Sequence, residues 1–263
     1  SRAPRMTRTA ISPRLAIRIL RNTAANVGVV VGRSAIPPVE GQSAPGWAVD
    51  HIAETGSTNA DLLATAASRP DRSVLVADHQ TAGRGRLDRR WDAPPGANLL
   101  VSLLFHIVPA DPGELTRRVG VAAVDACRES AGVVATLKWP NDVLVGDRKL
   151  AGILAERSAT GSVVVGLGLN VRWAPEGAAR LGPSVAPLEV LDALLAAYDR
   201  LPADITARYR QELGTLGRRV RIDLTAGSLE GTATDVEPDG RLVVLDGCEI
   251  THRIDVGDVV HVR

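Results

Sequence analysis

Lysine is almost missing from this chain of 263 residues. Lys138 and Lys149 are the two among 31 basic residues, and arginine supplies the other 29. A compact ammonium fits between two oxyanions where a guanidinium fork is too broad, so a lysine kept in this background points to a task arginine cannot do. Cysteine is scarce too. Cys127 and Cys248 lie far apart with no Cys-x-x-Cys, which excludes a disulfide framework and a zinc ribbon and fits a reducing, cytoplasmic setting. No apolar run approaches the ~20 residues of a membrane span; the longest, Leu99 to Val108, is interrupted by Ser102 and His106 and reads as a strand. There is no Gly-x-x-x-x-Gly-Lys-[Ser/Thr] phosphate loop, and Gly166-Leu167-Gly168 lacks the third glycine of a dinucleotide fingerprint. The five histidines form no His-Glu-x-x-His or other metal pair, no Gly-x-Ser-x-Gly elbow occurs, and a net charge of +1 argues against a dedicated nucleic-acid binder.

What the chain does have is a cationic segment, Gln80-Thr81-Ala82-Gly83-Arg84-Gly85-Arg86-Leu87-Asp88-Arg89-Arg90-Trp91. It lies between two apolar strands, Val74 to Ala77 and Asn98 to Ile107. Glycine at Gly83 and Gly85 allows a positive φ and close approach to a ligand. Successive N–H groups in such a turn can converge on an anion. Arg84, Arg86 and Arg89 add planar donors for carboxylate and phosphate. The segment reads as a loop that holds two anions; a solvated basic hairpin is the plainer alternative. Without an anion, so dense a cationic cluster repels itself, which predicts a loop that orders on ligand binding.

The length suits one large domain and a small one, and 45% hydrophobic residues suffice for a sizeable core. Residues 1–46 hold seven arginines, one acidic residue (Glu40) and Pro37-Pro38. They read as a flexible extension with a short helix from Ser12 to Asn26, too short for a winged-helix DNA-binding module. Folding starts at Trp47 with a strand to Ile52. Ser57, Thr58 or Asn59 then caps a helix running to about Ser68; the same groups can face a ligand at the helix N-terminus. Pro112 to Glu129 has an apolar helical face in Leu115, Val119, Ala122, Ala123 and Ala126. Pro140 breaks the stretch from Leu137 to Val145. Lys149 to Glu156 and Ser162 to Asn170 read as buried strands whose Gly152, Gly166 and Gly168 suit a flat ring lying on the sheet. Pro187 to Leu201 and Pro202 to Leu213 read as helices, Gly214 to Gly217 as a linker, and the remainder as short strands with turns at Pro238-Asp239-Gly240 and Asp246-Gly247.

Five segments in this order, Ser57-Thr58-Asn59, the Gln80 to Arg86 run, Lys138-Trp139-Pro140-Asn141-Asp142, Lys149 to Leu154 and Gly166 to Asn170, resemble the biotin protein ligases, of the type without an N-terminal DNA-binding domain. The resemblance implies an α+β fold. A mixed, largely antiparallel catalytic sheet flanked by helices, of the class II synthetase-like biotin–lipoate ligase kind, spans 47–214, and a small SH3-like β-barrel spans 217–263. It implies an enzyme that activates biotin with ATP and Mg²⁺ as biotinyl-5′-AMP. The biotinyl group then goes to a lysine of a biotin carboxyl carrier domain, with no nucleic acid or membrane involved, in a monomer or homodimer. Arg84, Arg86, Lys149 and Asp142 become the catalytic set. Biotin would meet Ser57, Thr58, Asn59, Gln80, Gly85 and, from the catalytic set, Arg84, Arg86 and Lys149, with Gly83, Gly152, Gly166 and Gly168 making room. The adenylate would meet Trp91, Lys138, Asn141 and Asn170 besides the catalytic set. Asp142 could hold Mg²⁺ or orient the incoming amine, and Lys138 could reach phosphate or pair with a carboxylate. Asp88 stands where family loops often carry a third glycine, and aspartate tolerates the left-handed region better than most residues; there it could pair a nearby arginine. The rivals are a lipoate-type acyl ligase and a biotin-sensing transcriptional regulator.

Overall fold

A computed structural model describes residues 18–19, 46–224, 227–255 and 257–262. Apart from Arg18–Ile19, a two-residue strand (β1), the helix and flexible extension expected before Trp47 lie outside the described residues. The large sheet is built from β2 (Ala48–Thr55), β3 (Ser73–Gln80), β4 (Leu99–Phe105), β5 (Thr136–Lys138), β6 (Asp142–Val145), β7 (Arg148–Arg157) and β8 (Val163–Leu169). Their spatial order is β2-β3-β4-β8-β7-β6-β5. β2 runs parallel to β3, β1 parallel to β7, and all other pairs are antiparallel.

Helices cover both faces, so the central strands read as continuous apolar runs rather than alternating ones. On β4, Leu99, Val101, Leu103 and Phe105 join the main core with α2 (Gly113–Ala131) and α3 (Pro187–Asp199). Leu104, with Leu75 and Val164, packs under Leu62 of α1 (Thr58–Thr65) on the opposite face. α2 buries the expected stripe of Leu115, Val119, Ala122, Ala123 and Ala126 and stops at Gly132, whose φ of 63° is the left-handed cap. The domain start at Trp47 is anchored by edge-on contacts to Phe105 and Tyr198 and an Nε1–H bond to Asp199.

The structure bears out one local expectation and corrects two. The break at Pro140 is a hairpin turn that brings Lys138 opposite Asp142. The helix expected from Pro202 is the shorter α4 (Thr206–Glu212), because the Asp204 carboxylate accepts the Thr206 N–H and starts it there. Gly214 to Gly217 is not a loose linker: Gly214 N–H donates to Leu137 O, and the buried Thr215 hydroxyl accepts the Trp139 N–H.

The C-terminal part contains β9 (Arg219–Leu224), β10 (Gly227–Val236), β11 (Leu242–Asp246), β12 (Thr251–Ile254) and β13 (Asp258–His261). They form an antiparallel sheet in the order β12-β11-β10-β9-β13. Among the described residues no pairing joins β12 to β13, so the expected barrel is here an open sheet. It docks on the domain of the large sheet through Trp139 Nε1–H to Gly240 O (2.9 Å) and Arg117 to Pro238 O and Asp239 O (both 3.1 Å). That docking brings Gly257 and Asp258 to the cationic loop.

Candidate active site

A cavity of about 450 Å³ opens between α1, the glycine-bearing strands β7 and β8, the cationic loop and the edge of the C-terminal sheet. All the site residues expected from sequence line it except Gly83.

The polar floor is a connected network. Ser57 is the N-cap of α1, yet its side chain makes no capping hydrogen bond and faces the cavity. Thr58 N–H donates to Gln80 Oε1 at 2.8 Å, and the Thr58 hydroxyl lies between Gln80 Oε1 (3.0 Å) and Ser102 Oγ (2.7 Å). Ser102 donates to Asn59 Oδ1 at 2.6 Å, and Asn59 Nδ2 donates to Leu154 O and Glu156 Oε2. Both ends of the Asn59 amide are therefore committed to the protein. Asn170 is in the same position, accepting from Asn98 and donating to Ala179 O, which pins the segment after β8.

Arg84, Arg86, Arg89 and Lys149 each have a carboxylate of the chain's own. Arg84 Nη2 is 3.1 Å from Glu156, Lys149 Nζ 2.7 Å from Asp142, and Arg89 Nη2 2.5 Å from Asp258. Arg86 donates to Asn141 Oδ1 (3.0 Å) and Gly257 O (3.4 Å), with Asp258 3.9 Å away. Burial pulls the Arg86 guanidinium below its usual value, and Asp258 and Asp142 oppose that pull. The self-repulsion expected of the loop is thus answered without ligand. The backbone closes it further, by Trp91 N–H to Gly83 O (3.0 Å) and Gly85 N–H to Arg89 O (2.7 Å).

Neither Gly83 nor Gly85 has the expected positive φ; the left-handed residue of this turn is Leu87 (φ 55°), not Asp88, whose side chain lies outside what is described. Gly83 is needed for closeness instead, since a Cβ there would sit 2.3 Å from Trp91 O. The glycines of the sheet have separate tasks. A Cβ on Gly166 would meet Asn59 Oδ1 at 2.3 Å, and one on Gly168 would meet the Trp91 indole at 2.5 Å. The flat ring on the sheet is, in this state, Trp91 itself. Its Nε1–H is buried without a partner, and Lys149 Nζ lies 5.7 Å from the ring centroid.

Sequence reading missed Ser102, Glu156 and Asp258. Glu156 is the penultimate residue of the strand that carries Lys149 and Gly152, so its place on the Gly152 face follows from alternation. Ser102 is the one polar residue within β4. Nothing local marks Asp258, which reaches the site by domain docking alone.

Two family models match the chain: the biotin/lipoate A/B protein ligase family over residues 53–170 and the biotin protein ligase C-terminal domain over 215–262. The biotin–[acetyl-CoA-carboxylase] ligase of Mycobacterium tuberculosis is 40% identical over 243 residues, covering 83% of this chain and 91% of that protein. The bifunctional ligase/repressor BirA of Bacillus subtilis is 39% identical over 112 residues, 40% of this chain and 34% of that protein. Among solved structures, the biotin protein ligase of Aquifex aeolicus in complex with biotin and ATP superposes with a TM-score of 0.69 at 26% identity, covering 82% of this chain and 99% of that one.

Proposed function

The chain belongs to the biotin protein ligase family, and we propose that it converts biotin and ATP to biotinyl-5′-AMP and then biotinylates one lysine of a biotin carboxyl carrier domain. The observation that supports this reading best is the convergence of Arg84, Arg86 and Lys149 on the cavity that the Ser57–Thr58–Gln80 floor also lines.

In the first step a biotin carboxylate oxygen attacks the α-phosphorus of ATP, and the P–O bond to pyrophosphate breaks. Two anions must meet, so fixed positive charge is needed where charge builds in the transition state. Arg84 takes the biotin carboxylate on the side turned away from Glu156, and Arg86 and Lys149 take the phosphate oxygens in exchange for the chain's own carboxylates. Ser57, Thr58 and Gln80 hydrogen-bond the ring system over Gly152 and Gly168, while Trp91 lifts from the sheet to become the wall next to the adenine. Lys138, Asn141 and Asn170 line the nucleotide end. In the second step the carrier amine attacks the acyl carbon, AMP leaves with the electron pair of the broken C–O bond, and the amine gives up a proton.

Asp142 has two candidate tasks, orienting that amine or holding Mg²⁺. Among the described residues no group of three or more His, Cys, Asp or Glu forms a metal cage. A single carboxylate nevertheless suits Mg²⁺, which takes one or two carboxylates together with substrate phosphates. Asp142 is the residue that would hold it, and the ion would neutralise triphosphate charge. Residues 47–214 act as the catalytic domain, and 217–263 as a domain that seats the loop and nucleotide through Asp258. Among the described residues no helix is long and apolar enough to cross a membrane.

Labelled biotin, ATP and an isolated carrier domain test the reading. Label is expected on one carrier lysine, with lipoate inert in its place and operator DNA unbound. Transfer of lipoate but not biotin, or no label on the carrier, would overturn it.

A further inference from the structure

Glu156 is fully buried on β7, at 0% exposure, yet its side chain is a carboxyl group with one oxygen left unsatisfied. Its Oε2 accepts from Asn59 Nδ2 (2.9 Å) and Arg84 Nη2 (3.1 Å), while its Oε1 is buried with no hydrogen-bond partner. Stability alone does not account for this arrangement. A buried ion pair is often no better than well-packed apolar groups of the same volume, and an idle buried oxygen adds a desolvation cost. The pair is also lopsided: Arg84 is 30% exposed and lines the cavity, whereas Glu156 lies wholly beneath it. The guanidinium is therefore held from below by one edge, with its remaining donors left to face the cavity.

We infer that Glu156 is a positioning residue, which fixes the Arg84 guanidinium against the biotin carboxylate. It touches neither substrate. It acts at the end of a hydrogen-bonded path that runs from Gln80 through Thr58, Ser102 and Asn59, so the groups proposed for the ring and the cation proposed for the carboxylate share one rigid support. This rests on the ligand reading of Arg84 given above, and the experiment separates the two.

Calorimetry on the full chain compares biotin with biotinol, its neutral alcohol, for the wild type, Glu156→Gln, Arg84→Gln and the double variant. Glutamine keeps an oxygen for Asn59 but removes the charge that orients Arg84. Glu156→Gln is expected to weaken biotin about tenfold, the scale of one charge-assisted hydrogen bond, and to leave biotinol unchanged. In the Arg84→Gln background it is expected to add nothing further. Equal losses for the two ligands, or additive losses in the double variant, would overturn the positioning role and leave the ligase reading standing. An Arg84→Gln variant that weakens biotin no more than it weakens biotinol would overturn both the carboxylate assignment and this inference. Should Glu156→Gln not fold, Glu156→Asp keeps the charge and draws it back by one methylene. Its expected loss is smaller and again confined to biotin, and a loss shared with biotinol would overturn the inference equally.

Discussion

Gly166 and Gly168 lie two residues apart on β8 and face the same side of the sheet, yet the same substitution is expected to fail in different ways. A methyl at position 166 would sit 2.3 Å from Asn59 Oδ1 and 3.0 Å from its Cγ. The Asn59 amide has nowhere to go, because Ser102, Leu154 O and Glu156 hold it at 2.6, 3.1 and 2.9 Å. Giving way means losing two or three buried hydrogen bonds, one of them to a charge, which amounts to about 3–5 kcal/mol. At about 2–4 °C per kcal/mol for a protein approaching this size, Gly166→Ala is expected to melt roughly 6–20 °C lower. A methyl at position 168 would meet the Trp91 indole at 2.5 Å. That side chain belongs to a loop, and its Nε1–H has no hydrogen bond to lose. Gly168→Ala is therefore expected to cost less than about 1 kcal/mol of stability, since a flexible neighbour yields where a clamped one cannot. Its penalty falls on binding, because the methyl occupies the floor on which the ligand ring is proposed to lie. Urea unfolding and biotin calorimetry on both variants separate the cases. Gly168→Ala unfolding as early as Gly166→Ala, or Gly166→Ala staying within about 1 kcal/mol of wild type, would refute the division of labour.

Lys149→Arg keeps the charge but replaces a point ammonium with a fork that cannot fit beside Asp142 and Trp91 as Lys149 does; adenylate formation in a single turnover is expected to fall at least about a hundredfold, and retention of most activity would sink the Lys-specific reasoning. Asp258→Ala removes the carboxylate that Arg89 contacts at 2.5 Å and Arg86 approaches at 3.9 Å. The Gly83–Trp91 loop should then be cut faster by trypsin without ligand, while adenylate restores protection; equal cleavage in wild type and variant would count against the latch. His261 is held below the usual imidazole value by burial first, then by Arg218 and Lys138, with Asp147 opposing. A depressed folded pKa means the unfolded chain protonates first, so stability is present above about pH 6.5 and declines as pH falls below it. Thermal melts from pH 7.5 to 5.5 should show a shallower decline in His261→Gln than in wild type, and parallel curves would exclude His261 as a contributor.

Much of this was legible in the sequence because the signals were local. The apolar stripe of α2 has a helical period, Gly132 stops it, and the strands around the cationic loop are largely apolar runs. The motif residues could be gathered for the same reason, since each motif is short and complete within itself. Backbone detail was less accessible. The loop uses Gly83 for close contact and puts its left-handed residue at Leu87, because Gly83 and Gly85 pair with Trp91 and Arg89 across the turn and leave the reversal to the residues between them. Least legible were the countercharges. Glu156 lies 72 residues from Arg84, and Asp258 lies 169 from Arg89 in another domain. No spacing rule reaches that far, and an acidic residue in a strand looks the same in sequence whether it is solvated or buried under a guanidinium.

Those countercharges change how the loop works. A cluster of free arginines would bind anions strongly but would be mobile before the ligand came, so ordering it would consume binding energy. Here Glu156, Asp258 and Asp142 hold Arg84, Arg89 and Lys149 in place without ligand, and on the function proposed Asp258 and Asp142 occupy the positions of substrate anions. Binding then exchanges one carboxylate for another oxyanion at nearly constant local charge. The gain comes where the exchange is unequal: Asp258 and Asp142 are partly exposed and surrender their partners at small cost, whereas Glu156 is buried and keeps its hold. On the function proposed, Arg84 is the fixed point for the carboxylate, and Arg86 and Lys149 are the movable charges that follow the phosphates. That ordering matches the chemistry proposed, in which the carboxylate must be held still while the phosphate it attacks changes shape.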